Sequence, residues 1–204
     1  MILIVDGSGR GRGAKLRSAL LSHNIPCAAV NTLNIAKYPA ALIVFAFVSS
    51  EDMLNTISVR CGRTPLLAVN ETGGRIYNSD VRFYNPDIHK TIEEFIISFL
   101  YERYGITAGH YSRGDVSVLR GTVMAGVSYL NLTKTETRIL VLFLMCSDKW
   151  ISADNIGRAC FESSGGNKSV AVHICNINRK TKTVLGKPII ICSRRTGYRL
   201  NGAV

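Results

Sequence analysis

Two short apolar runs constrain this chain more than anything else in it. Residues 2–5 are unbroken Ile, Leu, Ile, Val closed by Asp6, and residues 41–47 read ALIVFAF. Each is too short for a globular helix and lacks polar alternation, so each reads as a strand buried on both faces. Such strands need helices above and below the sheet, and the sequence supplies them. A glycine-rich turn at residues 7–13 leads into a helical pattern at 14–22, with Leu16, Ala19 and Leu20 on one face. A short strand is expected at 28–30. Ser50 caps a helix running to about residue 59, with Glu51 and Asp52 in its first turn. Further strands at 65–69 and 81–84 and a helix at 87–104 complete the alternation. The pattern predicts an α/β fold with a doubly wound parallel sheet, and Asp6 falls at a carboxyl strand end, where such sheets place ligands.

Past residue 104 the character of the chain changes. Residues 1–104 carry 11 Lys and Arg against 9 Asp and Glu, whereas 105–204 carry 14 against 5. Nearly all of the net charge of +11 therefore belongs to the second half. Three glycines in 105–114 mark a linker between a domain at 1–104 and a domain at 115–204. Short alternating segments at 116–119, 122–125 and 127–132, separated by Gly121 and Gly126, predict a small antiparallel sheet. Thr133 followed by Glu136 forms a capping-box signature opening a helix that buries Ile139, Leu140, Phe143 and Leu144. Ser152 caps a shorter helix at 153–159.

The segment 168–182, KSVAVHICNINRKTK, is the most informative for function. Val170, Ile174 and Ile177 recur at helical spacing, while Lys168, Val172, Cys175, Asn176, Arg179 and Lys182 fall on the opposite face. A presented face of Lys, Arg and Asn without a carboxylate suits a polyanion.

Other classes are excluded or disfavoured. The longest apolar run, residues 40–48, is far short of the roughly 20 residues a membrane helix needs. The first five residues do not make a signal peptide, which predicts a cytoplasmic protein without membrane contact. The six cysteines form no CxxC pair and the four histidines are dispersed, so reduced and mostly buried thiols are expected, without metal or cofactor. No Ser/His/Asp, Cys/His or paired-carboxylate arrangement suggests an enzyme.

With an acid ending the first strand, the first half resembles the receiver domain of two-component response regulators. The resemblance implies five functional positions, of which only Asp6 is retained. The second metal-binding acid is replaced by Gly7, and the phosphoacceptor aspartate by Phe45 or Ala46. The hydroxyl residue is replaced by Asn70, and the lysine before proline by Asn85 ahead of Pro86. The degenerate set implies no phosphoacceptor and no metal. Only ten residues separate Asn70 from Val81, so the receiver's fourth helix is expected to be missing or reduced to a loop.

Residues 115–200 resemble the winged-helix effector domain of OmpR/PhoB transcription factors: LTKTETRIL matches the family's LTPTEFRLL, VAVHICNINRK its VDVHISRLRKK, and GYRL its closing strand. This implies an atypical response regulator, a double-stranded DNA partner, and a recognition helix at 168–182. On that reading Val172 contacts a thymine methyl, Asn176 and Arg179 bond bases or phosphates, and Lys168, Lys180 and Lys182 meet phosphates. Arg194 aligns with the family's wing arginine, which enters the minor groove, and Arg195 adds charge in place of the wing glycine. His173 is expected to make a structural hydrogen bond. The loop at 162–167 occupies the place where the family meets RNA polymerase. Ile97, Leu100, Tyr101 and Tyr104 form a second apolar stripe on the helix at 87–104 and are expected to hold a homodimer. As an alternative, the turn at 7–15, with Arg10, Arg12 and Lys15, would bind a nucleotide or other anionic metabolite and gate DNA binding.

Overall fold

The computed structural model describes residues 1–7, 11–71, 76, 78, 80–104, 106, 110–146, 149–161 and 167–201. The apolar runs become a five-stranded parallel sheet of β1 (Ile2–Asp6), β2 (Cys27–Val30), β3 (Ile43–Val48), β4 (Leu66–Asn70) and β5 (Val81–Phe83), ordered β2-β1-β3-β4-β5. Every residue of β3 is buried, which requires cover on both faces. The cover comes from α1 (Arg12–Ser22), α2 (Glu51–Cys61) and α3 (Ile92–Tyr104). Helix α1 packs beside α3, and α2 packs beside a 3-10 turn, Thr32–Lys37, that the sequence pattern did not announce. The receiver-like α/β architecture is as expected.

Helix α3 begins at Ile92 and not at residue 87. The Asn85 side chain accepts the Asp87 N–H at 2.9 Å and holds a turn there. The helix itself is opened by Thr91 and Glu94, which cap one another: Thr91 Oγ1 accepts the Glu94 N–H at 3.1 Å, and Glu94 Oε2 accepts the Thr91 N–H at 3.3 Å. The helix faces also differ from those expected. Leu100, assigned to the outward stripe, is 1% exposed and belongs to the core, while Tyr101 is 60% exposed. Ile88, inside the helix span expected from the sequence, lies before the helix and is 71% exposed. Most of the segment expected to lack the fourth receiver helix lies outside the described residues.

In the second half, β6 (His110–Arg113), β7 (Val116–Leu119), β8 (Thr122–Ala125) and β9 (Ser128–Leu130) form an antiparallel meander. Strand β6 occupies the end of the expected linker, because Tyr111 is buried and pairs with Val118 across the sheet. Three helices follow: α4 (Lys134–Met145), α5 (Ala153–Cys160) and α6 (Asn167–Leu185). The reciprocal Thr133–Glu136 cap opens α4, and Ser152 caps α5. A hairpin of β10 (Ile190–Ser193) and β11 (Gly197–Leu200) closes the chain and gains a one-residue third strand at Ile151, which pairs with Tyr198. Gly197, at φ +102, passes so close that an added Cβ would lie 2.3 Å from the Ile151 carbonyl oxygen.

The two halves share one continuous hydrophobic core. Along their seam, arginines hold the carboxyl ends of neighbouring helices, where the helix dipole favours a cation. Arg17 of α1 donates to the Arg158 and Phe161 carbonyls at the end of α5. Arg138 of α4 in turn donates from Nε to the Leu21 carbonyl near the end of α1 at 3.2 Å. Cys27, Cys61, Cys146 and Cys160 are buried free thiols, and Cys175 and Cys192 are exposed free thiols. Burial pushes Cys27 up to about 12, against the partial opposition of Arg17 and Arg138, which makes it a poor nucleophile.

Candidate nucleic-acid interface

Two stripes divide α6. Val170, Ile174, Ile177 and Thr181 are buried. On the other side Ala171, Val172, Cys175, Arg179 and Lys182 are exposed, with Asn176 half-buried at the flank. Val172, a β-branched apolar side chain, is 59% exposed. Lys168 sits in the first turn of α6, with its side chain outside the described residues. The loop at 162–166 also lies outside them. Gly186, at φ +73, ends the helix and donates its N–H to the Lys182 carbonyl at 2.9 Å. Such a left-handed glycine is a common helix stop.

Lys180 differs from its neighbours. Its ammonium lies 2.7 Å from Glu136 Oε2 and 2.8 Å from the Asn131 carbonyl oxygen. The charge expected against a phosphate is therefore turned inward, because α6 crosses over the capping box of α4. Burial pushes Glu136 upward, but the Lys180 hydrogen bond, the Thr133 N–H and the charges of Lys180 and His173 together hold it below its ordinary 4.5. His173 departs from expectation too. Its ring meets Phe161 edge-on, with centroids 5.6 Å apart, and among the described residues its buried Nδ1 has no hydrogen-bond partner.

Asn178 fixes the hairpin against α6. Its amide donates to the Ile190 carbonyl at 2.7 Å and its oxygen accepts the Ile190 N–H at 2.9 Å. These two bonds satisfy one residue of an edge strand and set the hairpin's position relative to the helix. Periodicity ranks Asn178 as an unremarkable flank residue. Its sequence signal is a polar amide beside the buried Ile177 and Thr181. At the hairpin tip Arg194 and Arg195 are exposed. Deeper in the hairpin, Arg199 stacks over Trp150, with its guanidinium carbon 4.8 Å from the ring centroid, a contact the sequence reading missed. Arg179, Lys182, Arg194 and Arg195 thus stand outward on two elements tied together by Asn178.

At the carboxyl end of the parallel sheet the charges are turned inward. The Asp6 carboxylate accepts the Gly13 N–H at the start of α1, at 2.9 Å. Gly13 has to be glycine for this approach, since a Cβ would lie 2.9 Å from Asp6 Cβ. Arg12 lies 2.6 Å from Glu71 Oε1, whose side chain is only 4% exposed. The pair is held by proximity of charge and not by an aligned hydrogen bond, since neither Glu71 oxygen has a hydrogen-bond partner among the described residues. Within the turn considered for anions at 7–15, the Gly13 N–H and Arg12 are thus engaged by the chain's own acids, and residues 8–10 lie outside the described set. Beside Asp6, the Met53 side chain lies over Gly7, and a Cβ there would require the Met53 methyl, 1.7 Å away, to shift. Strand β3 runs on to Phe47 and Val48, both buried, so the end of the third strand lies beyond Phe45 and Ala46 and is still apolar. Among the described residues no group of His, Cys, Asp and Glu could hold a metal ion, and no helix is long and apolar enough to cross a membrane.

No known family profile and no curated protein matches the chain. Solved structures similar to it include the DNA-binding domain of the response regulator AdeR in complex with an intercistronic region, at 22% identity, over 45% of this chain and 97% of that one, with a TM-score of 0.41. Another is DrrB, an OmpR/PhoB homologue from Thermotoga maritima, at 16% identity over 98% of each chain and a TM-score of 0.45. A streptococcal redox sensor, from a family described as evolved from two-component response regulators, aligns at 14% identity over 98% of each chain, with a TM-score of 0.41. At these values the functional reading rests on the chain's own geometry.

Proposed function

We propose that this protein is a sequence-specific double-stranded DNA-binding transcription regulator that acts without aspartyl phosphorylation. The observation that carries the reading is the outward stripe of α6 together with the arginines of the hairpin tip. The 19 residues of α6 span about 28 Å, a length that lies readily along a major groove. Val172 is suited to a thymine methyl, Asn176 and Arg179 to base edges, and Lys168 and Lys182 to phosphates. Arg194 enters the adjacent minor groove and Arg195 contacts its backbone. Lys180 acts first as the partner of Glu136, holding α6 on α4.

Independence from phosphorylation is supported by the apolar end of β3 and by the engagement of Asp6 with Gly13. The active form is a homodimer through the outer side of α3. Tyr101 is its exposed centre, with Ile97 and Tyr104 beside it, while Leu100 supports the helix from within. RNA polymerase contact falls to the loop at 162–167. Selection of bound sequences from a random duplex pool tests the reading. The unaltered chain should enrich one motif, and a chain carrying Arg179→Ala and Arg194→Ala should enrich none. Equal enrichment by both would refute the assigned face.

A further inference from the structure

A polar cavity of about 620 Å³ opens along the seam between the halves, lined by Ser18, Ser22 and Asn24 on one side and by Arg120, Thr122, Lys134, Thr137 and Arg138 on the other. Its described lining contains three cations, four hydroxyls and no carboxylate. The nearest acid in sequence, Glu136, is engaged by Thr133 and Lys180.

Two of the cations stand where local structure disfavours them. Arg120 and Gly121 form the two-residue turn between β7 and β8, with φ +49 and +84. A turn with both residues left-handed selects Asn, Asp or Gly at its first position. Arginine there is strained, and it places a guanidinium at the cavity. Lys134 is the first residue of α4, at the positive end of the helix dipole, where an acid is preferred. Among the described residues neither cation has an ion-pair partner. Residues that violate local preference tend to mark functional sites, and here two independent violations meet at one cavity.

We propose that this seam cavity binds a small phosphate-bearing metabolite. Its volume lies in the range of ligand sites. Paired guanidinium and ammonium groups neutralise a multiply charged phosphate, and the hydroxyls of Ser18, Thr122 and Thr137 can donate to its remaining oxygens, while Ser22 already donates to the Ala19 carbonyl at 2.7 Å. The lining comes from both halves, so the bound anion ties α1 to α4 and to the β7–β8 turn. The site is separate from the DNA-reading face and from the turn at 7–15, and its existence does not depend on DNA binding.

The test uses the full chain, with inorganic pyrophosphate as probe at constant ionic strength and citrate as a non-phosphate control. Near saturation, pyrophosphate should raise the melting temperature by about 3–5 °C, and citrate by clearly less. Replacing Arg120→Gly together with Lys134→Gln should abolish the rise. Both side chains are exposed, and glycine relieves the left-handed strain, so this variant should fold. Arg179→Ala with Arg194→Ala should leave the rise intact, which separates the seam from the DNA face. No rise in the unaltered chain, a rise that survives the seam substitutions, or an equal rise with citrate would overturn the proposal.

Discussion

The carboxyl end of the parallel sheet and the outer face of α6 carry the same kinds of residue and use them in opposite ways. At the sheet end, Asp6 is held by a helix N–H and Arg12 lies against a buried Glu71. On α6 and the hairpin, Arg179, Lys182, Arg194 and Arg195 point into solvent. Self-neutralised charges stabilise a fold but leave nothing for a ligand or a phosphoryl group, whereas unpaired, co-aligned cations are costly to hold together unless a polyanion meets them. The difference is one of direction: the described charges at the sheet end are turned onto one another, while those of α6 and the hairpin face solvent, where a polyanion can meet them.

The largest expected effect is on the exposed side. Arg179→Ala and Arg194→Ala together should weaken binding to the selected site by about 2–6 kcal/mol, read by fluorescence anisotropy. Glu136→Ala comes next. It removes a helix cap and leaves Lys180 without its carboxylate, and should destabilise the chain by about 2–4 kcal/mol in urea. Because Glu136 is held below 4.5 when folded, its contribution is complete above about pH 5 and fades as the pH falls through the folded value. Glu136→Gln should therefore lose stability at neutral pH while flattening the acid limb of the stability curve. Asn178→Ala should cost about 1–3 kcal/mol in stability and loosen DNA binding by freeing the hairpin. Lys182→Ala should do least, lowering the slope of log affinity against log salt by about 1 while leaving sequence preference alone.

Much of this contrast was readable in the sequence. The strand positions followed from apolar runs bounded by helix signals, and the α6 face followed from Val170, Ile174 and Ile177. What escaped depends on tertiary placement or on a local signal passed over. Lys180 shares a helix with Lys182, and only the crossing over α4 turns its charge inward. Leu100 was misassigned because an apolar helix has several faces to choose from, although it lies one turn beyond the buried Ile96 wherever the helix starts, and the start at Ile92 was missed as well. That start was available in Thr91 and Glu94, a capping pair at the right spacing. The seam arginines Arg17 and Arg138 act across more than a hundred residues, which no local pattern reveals.

The central claim is that the second half reads DNA under no phosphoryl control from the first. The most direct measurement is DNA affinity and oligomeric state of the purified full chain, with and without beryllofluoride and magnesium, on the sequence that it selects. The account predicts identical binding curves and an unchanged dimer. Tighter binding or a new oligomer on beryllofluoride addition, abolished by Asp6→Ala, would contradict it.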